Sequence, residues 1–229
     1  MAEASARRES VVTIDGPAGS GKSTVAKTLA VRLGFDYLDT GAMYRAVALS
    51  AGRHNLLEDP AGLAAHLETL SLEIAGGVVT LGGEDVTGLL RDPDVTRGSS
   101  IVAAVPAVRA FLVQAQRRAA VGRDIICEGR DQGTVVFPRA VCKFFLTAHP
   151  RERARRRLDD MVRQGKAPLA LDDLERQIAE RDERDATRKD GPMVPAPDAR
   201  VVDTTSMTLE QVSDHLAGLI LSSLREAGR

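Results

Sequence analysis

The chain has 229 residues, 43% apolar and 28% charged, the balance of a globular domain with room for a sizeable core and not of a disordered segment. Basic and acidic residues number 31 and 32, a formal net charge of −1, so no global field favours nucleic acid or an anionic membrane as partner. The two cysteines, Cys127 and Cys142, offer neither a disulfide framework nor zinc spacing and sit in apolar runs, as buried thiols in a reducing compartment do.

Residues 1–9 are polar and read as a frayed end. Arg7 and Arg8 precede only four residues, Val11 to Ile14, too short for a secretory core, and no run approaches the ~20 apolar residues of a membrane span. A soluble, unexported, cytoplasmic protein is expected. Residues 11–14 read as a strand, followed by a glycine-rich turn and a helix over 23–32. A second strand over 35–38 leads to a helix over 42–51. Residues 72–90 break the rhythm: two β-rich pieces joined by Gly76-Gly77 predict a hairpin. Apolar runs at 124–127, 141–146 and 200–202 read as buried parallel strands, with helical periodicity over 105–120, 150–163, 171–189 and 209–225. The expectation is an α/β core, residues 10–68 and 91–226, with five parallel strands and helices on both faces. A small antiparallel insert occupies 69–90.

Gly16-Pro17-Ala18-Gly19-Ser20-Gly21-Lys22-Ser23 fits G-x-x-x-x-G-K-[ST] between a predicted strand and helix, and Thr24 follows it. Glycines let backbone N–H groups converge on phosphate oxygens, and the helix N-terminus adds partial positive charge. Lys22 can reach the β- and γ-phosphates of ATP, and the Ser23 hydroxyl can bind Mg²⁺. The fold class is therefore a P-loop nucleotide-binding domain. No guanine-reading N-K-x-D occurs, and Ile125-Ile126-Cys127-Glu128 continues into Gly129-Arg130-Asp131, not into the paired acids of a motor ATPase. Glu128 suits two readings, a water-bridged magnesium partner or a strand-end cap. A small-molecule kinase remains.

Arginines point to the acceptor. Asp39-Thr40-Gly41-Ala42-Met43-Tyr44-Arg45 follows the second strand, where open α/β sheets place ligands, and Arg130-Asp131 lies beyond the third. Arg181, Asp185 and Arg188 recur at i, i+4, i+7 and so fall on one helix face. Together they describe a second anion site suited to a phosphate-bearing acceptor. Within Arg151, Arg153, Arg155, Arg156 and Arg157, the i, i+4 pair Arg153 and Arg157 can clamp ATP phosphates, and a solvated helix face explains some of the others better. His54, His66, His149 and His215 all lie outside these motifs.

IDGPAGSGKST, LDTGAMYRAVAL, GEDVTGLLRDPDV, SSIVAAVPAVR, EGRDQGTVVFP, ERDERDATR and DARVVDTTSMTLEQV together resemble the bacterial cytidylate (CMP) kinases of the nucleoside monophosphate kinase superfamily, from about Val12 to about Val212. The resemblance implies phosphoryl transfer from ATP to CMP and dCMP with Mg²⁺, by a monomer. It implies that Gly16 to Thr24 hold the ATP phosphates and that Arg45 and Arg130 grip the CMP phosphate. Thr40, Arg109, Asp131 and Arg188 would read cytosine; Ser100, Arg181 and Asp185 would hold the ribose; Tyr44 would line the pocket. Residues 72–90 would be the monophosphate-binding insert, and a short lid would span about 151–168. Alternatives are a P-loop kinase of a hydroxyl acceptor, shikimate- or gluconate-like, and a nucleotide-binding protein without turnover.

Overall fold

Strand β1 (Val11–Asp15) is buried along nearly its whole length, and helix α1 (Lys22–Leu33) follows the glycine-rich turn. Then come β2 (Asp36–Asp39), α2 (Thr40–Arg53), α3 (Pro60–Leu67), three short strands β3 (Leu72–Ala75), β4 (Val78–Leu81) and β5 (Glu84–Asp85), and α4 (Pro93–Val102). The second half holds α5 (Pro106–Ala120), β6 (Ile125–Gly129), β7 (Cys142–Thr147), α6 (Pro150–Arg163), α7 (Leu171–Thr187), β8 (Arg200–Asp203) and α8 (Leu209–Glu226). This computed structural model describes residues 9–163, 165 and 167–228. Outside them lie residues 1–8 of the expected frayed end, the lid positions Gln164 and Lys166, and Arg229.

Five strands form one parallel sheet in the order β2-β6-β1-β7-β8. Alternation along the strands sends side chains to opposite faces. Val12, Ile14, Ile126 and Phe144 pack with Leu29, Leu216 and Ile220 on the α1/α8 side. Leu38, Ile125 and Cys127 pack with Val47, Leu63 and Leu112 on the other. Cys127 and Cys142 are both free and buried, as expected. Strand register brings Asp15 beside Gly129 and Asp39 beside Glu128, so these strand ends open on the same edge of the sheet.

The insert is a three-stranded antiparallel sheet, β3-β4-β5. Gly76 and Gly77 turn its hairpin at φ 58° and 83°, conformations side chains resist. Its third strand, only Glu84 and Asp85, is too short to leave an alternation in the sequence. Val79, Leu81, Val86 and Leu90 seat this sheet on Ala42 and Ala46 of α2. Two helices, α3 and α4, also escape the periodicity. The α4 sequence PDVTRGSSIV is poor in helix formers, but Asp92 caps it and Gly98 fits against Ala48 of α2, where a Cβ would lie 3.3 Å from the alanine methyl. Helices α6 and α7 share a small core of their own, Ala154, Leu174 and Ile178. Among the described residues, no single helix is long and apolar enough to cross a membrane.

Candidate active site

At the end of β1 the chain leaves the sheet at Gly16, whose φ is 141° and whose missing Cβ would fall 2.0 Å from the Leu146 carbonyl oxygen. Only glycine fits there. The loop ends at Gly21, which caps α1 in a left-handed conformation with no side-chain bond to the first-turn amides. The first-turn N–H groups thus have no side-chain cap, an anion-binding arrangement. Lys22 is buried, and its Nζ donates to the Pro17 carbonyl at 2.9 Å. Burial, then the nearby Arg130, lowers its pKa from 10.5 to about 7. The Ser20 hydroxyl is buried without a hydrogen-bond partner among the described residues. Ser23 Oγ donates to Glu128 Oε2 at 2.7 Å, and Tyr37 donates its hydroxyl to Oε1 of the same carboxylate at 2.5 Å.

The expected ATP clamp from α6 divides into two kinds of arginine. Arg153 is buried and committed: Nε donates to the Ala148 carbonyl at 2.9 Å, Nη1 donates to the Ala18 carbonyl at 3.2 Å, and the same nitrogen pairs with Asp182 of α7. Asp182 also accepts from the Ala18 N–H, so α7 and the loop are tied together. Arg157 instead lines the cleft and makes no hydrogen bond or ion pair among the described residues. Arg156, another of that cluster, donates to the carbonyl and hydroxyl oxygens of Thr204 at 2.6 and 3.0 Å, fastening the loop after β8.

Across the cleft, Asp39 caps α2 by accepting from Ala42 N at 2.8 Å and pairs with Arg45 at 3.1 Å. Arg130 donates Nε to Asp185 at 2.9 Å. Burial pushes the Asp185 carboxyl up, but Arg130 and Arg181 outweigh it and hold its pKa below the ordinary range. The Nε–H groups of Arg45 and Arg181 are buried with no acceptor among the described residues. Burial, then repulsion from Arg130, drops the Arg181 pKa from 12.5 to about 10. Two guanidinium groups are thus presented to a cleft that supplies them too few acceptors. That is the condition a bound phosphate relieves.

Deeper in, Asp131 and Arg109 form a buried ion pair, with Arg188 3.7 Å from the same carboxylate oxygen. Arg109 donates to Tyr44 Oη at 3.3 Å, and burial lifts the Tyr44 phenol to about 12. Thr40 donates its hydroxyl to the Glu128 carbonyl at 2.6 Å, and it and Ser100 of α4 line the cleft. One detail departs from the sequence reading: Arg188 lies one residue past the end of α7, extended at ψ 143°, and not on its helical face. It still lies 3.8 Å from Asp185, because its Nε donates to the Gly191 carbonyl at 2.5 Å and turns the side chain back. Arg109 reaches the cleft only through Asp131 and Tyr44, and Thr24 lines the far side of the loop.

The family model for cytidylate kinases matches residues 12–222. The chain belongs to the cytidylate kinase family. It is 48% identical over 221 residues to the cytidylate kinase of Pelotomaculum thermopropionicum, a match covering 94% of this chain and 97% of that one. With the cytidylate kinase of Solibacter usitatus it shares 44% identity over 217 residues, covering 93% and 92% of the two chains. A solved shikimate kinase from Bacteroides thetaiotaomicron superposes with a TM-score of 0.50 at 14% identity, covering 93% of this chain and 99% of its own, a likeness of fold alone.

Sequence reasoning passed over several residues that build this cytidylate kinase cleft. Asp39 stands inside a recognised motif, but nothing in the motif says its carboxylate faces an arginine. Tyr37, Asp182 and Asp15 act through partners from 29 to 164 residues away and carry no local signal.

Proposed function

We propose that this member of the cytidylate kinase family transfers the γ-phosphoryl group of ATP to the phosphate of CMP and dCMP, releasing ADP with CDP or dCDP. The observation that carries the reading is one cleft holding Lys22 on one wall and, on the other, Arg45 and Arg181 with buried donors lacking acceptors. A nucleoside triphosphate on the loop and a nucleoside monophosphate on the arginines, its phosphate toward Arg45 and its ribose toward Arg181, would meet between them.

A monophosphate has its second pKa near ~6 and is largely dianionic at neutral pH, so its oxygen attacks without a general base. The carboxylates of the cleft agree with this: Asp39, Asp131 and Asp185 face arginines, and Glu128 accepts from Ser23 and Tyr37. A kinase of a hydroxyl acceptor wants a carboxylate left free for the hydroxyl proton. In-line alignment and cancellation of charge between two polyanions are what remain to be supplied. Lys22 would follow the transferring group, Arg130 would lie beside the acceptor phosphate, and Arg157 would close from the lid helices. Ser100, Arg181 and Asp185 would hold the ribose. Asp131 would accept from the cytosine amine, while Thr40, Arg109 and Arg188 complete the edge.

Mg²⁺ fits the hard oxygens of Ser23 and, behind it, Glu128; no group of three His, Cys, Asp or Glu among the described residues forms a cage, as suits an ion held mostly by substrate phosphates. When bound it neutralises developing phosphate charge. A cytoplasmic monomer completes the proposal.

The test is an acceptor screen: ATP with each nucleoside monophosphate, read as ADP formation. CMP and dCMP should be good acceptors. UMP, which sets a carbonyl against Asp131, should be poor. ADP formation that no monophosphate accelerates would overturn the reading.

A further inference from the structure

Immediately after β6, residues 132–136 form a tight turn closed by i→i+5 bonds, with Val136 N–H donating to Asp131 O at 3.3 Å and Phe137 N–H donating to Gln132 O at 2.7 Å. Asp131 stands at the N-cap of this turn. An aspartate there ordinarily folds its carboxylate onto the amide two or three residues ahead. This one does not: it makes no capping bond, and its carboxylate points to Arg109 and Arg188. The amides it leaves are taken from another strand. Asp15, the last residue of β1 and only 4% exposed, accepts from Gln132 N at 2.8 Å through Oδ1 and from Gly133 N at 2.8 Å through Oδ2. The geometry is tight, since a Cβ on Gly133 would come within 3.4 Å of Asp15 Oδ2 and 3.1 Å of Thr13 Oγ1.

We infer that Asp15 is a positioning residue for base choice: it caps the 132–136 turn in place of Asp131 and thereby frees the Asp131 carboxylate to face the acceptor base. The inference rests on the proposed role of Asp131 as cytosine reader. Holding a carboxylate this deeply buried is unfavourable in itself, and burial lifts Asp15 from 3.8 to about 6 even against its two backbone donors. An apolar residue there would leave the Gln132 and Gly133 N–H groups buried without an acceptor. Asp15 also directly precedes Gly16, so the strut ties the acceptor-reading turn to the start of the phosphate loop.

The decisive experiment measures the CMP-to-UMP ratio of kcat/KM in four proteins: unmodified, Asp15→Asn, Asp131→Asn and the double variant. In Asp15→Asn the amide sets its NH₂ against one backbone N–H, which then competes for the Asp131 side chain. The ratio should narrow by about tenfold, the effect of surrendering one buried hydrogen bond. KM for ATP should stay within about twofold. In the Asp131→Asn background, Asp15→Asn should narrow the ratio no further. Arg117→Ala is the second test and lies on an exposed position; it frees the Val135 and Val136 carbonyls at the other end of the turn and should leave the ratio within about twofold. An unchanged ratio in Asp15→Asn, equal narrowing in both backgrounds, or narrowing by Arg117→Ala would each overturn the inference. If Asp131→Asn alone leaves the ratio untouched, the cytosine-reading assignment fails first, and the two failures are told apart.

Discussion

Arg181→Met should make the empty protein more stable while crippling acceptor binding. The Arg181 guanidinium makes no ion pair among the described residues, and its buried Nε–H has no acceptor. Its pKa falls from 12.5 to about 10, chiefly by burial and then by Arg130. At ~1.4 kcal/mol per tenfold, holding the charge costs the empty fold ~3 kcal/mol. The guanidinium stays protonated, so that cost is fully present at neutral pH. Methionine keeps much of the apolar stem but loses some packing, so a net gain of ~1–2 kcal/mol is expected, a rise of ~2–8 °C in Tm. Against this, losing a charge-assisted bond of ~1.5–3 kcal/mol should weaken CMP binding by ~10–150-fold. Differential scanning calorimetry without nucleotide, then with rising CMP, reads both effects. Saturating CMP should lift the Tm of the unmodified protein markedly, and the variant much less at the same concentration. A Tm lowered by several degrees in the empty variant would refute the reasoning, since it would make Arg181 a structural residue. Unchanged CMP affinity would refute its role in the acceptor site.

Lys22→Ala should keep the fold and lower kcat by ~10³-fold or more, because no other point charge on the loop can follow the transferring group; activity within a few-fold of unmodified protein at saturating substrates would contradict this. Lys22 has a pKa of about 7 in the empty protein. Phosphates should restore its charge, so ATP binding at pH 8 should take up ~1 proton and at pH 6 almost none, seen as a buffer-dependent heat in titration calorimetry and absent in Lys22→Met. Asp185→Ala should raise KM for CMP by ~10-fold or more and leave KM for ATP within about twofold; an equal rise for both would mark Asp185 as a brace for Arg130.

Much of the fold was legible because its signals are local. The strand, glycine loop and helix around Gly16 to Lys22, the apolar runs of the central strands and the Gly76-Gly77 hairpin each depend on neighbours in sequence. Helix α4 was not legible: SSIV and its glycine carry little propensity, and the helix exists because Asp92 caps it and Gly98 meets α2. In the site, the arginine clusters declared a phosphate-bearing acceptor, but their division of labour stayed hidden. Arg153 and Arg157 stand one turn apart on α6, yet one is buried against Ala18 and Asp182 while the other lines the cleft.

The amino-acid sequence by itself determined the loop that takes a triphosphate, the alternation that builds a parallel sheet and the supply of arginines at strand ends. Each of these follows from residue type and short-range spacing. Which carboxylate is neutralised by which arginine, which guanidinium is left without an acceptor, and which aspartate caps the turn after β6 were decided only by the tertiary structure. Asp15 reaches Gln132 across 117 residues of chain. Parallel pairing of β1 with β6 sets those ends side by side, and burial then makes their hydrogen bonds obligatory.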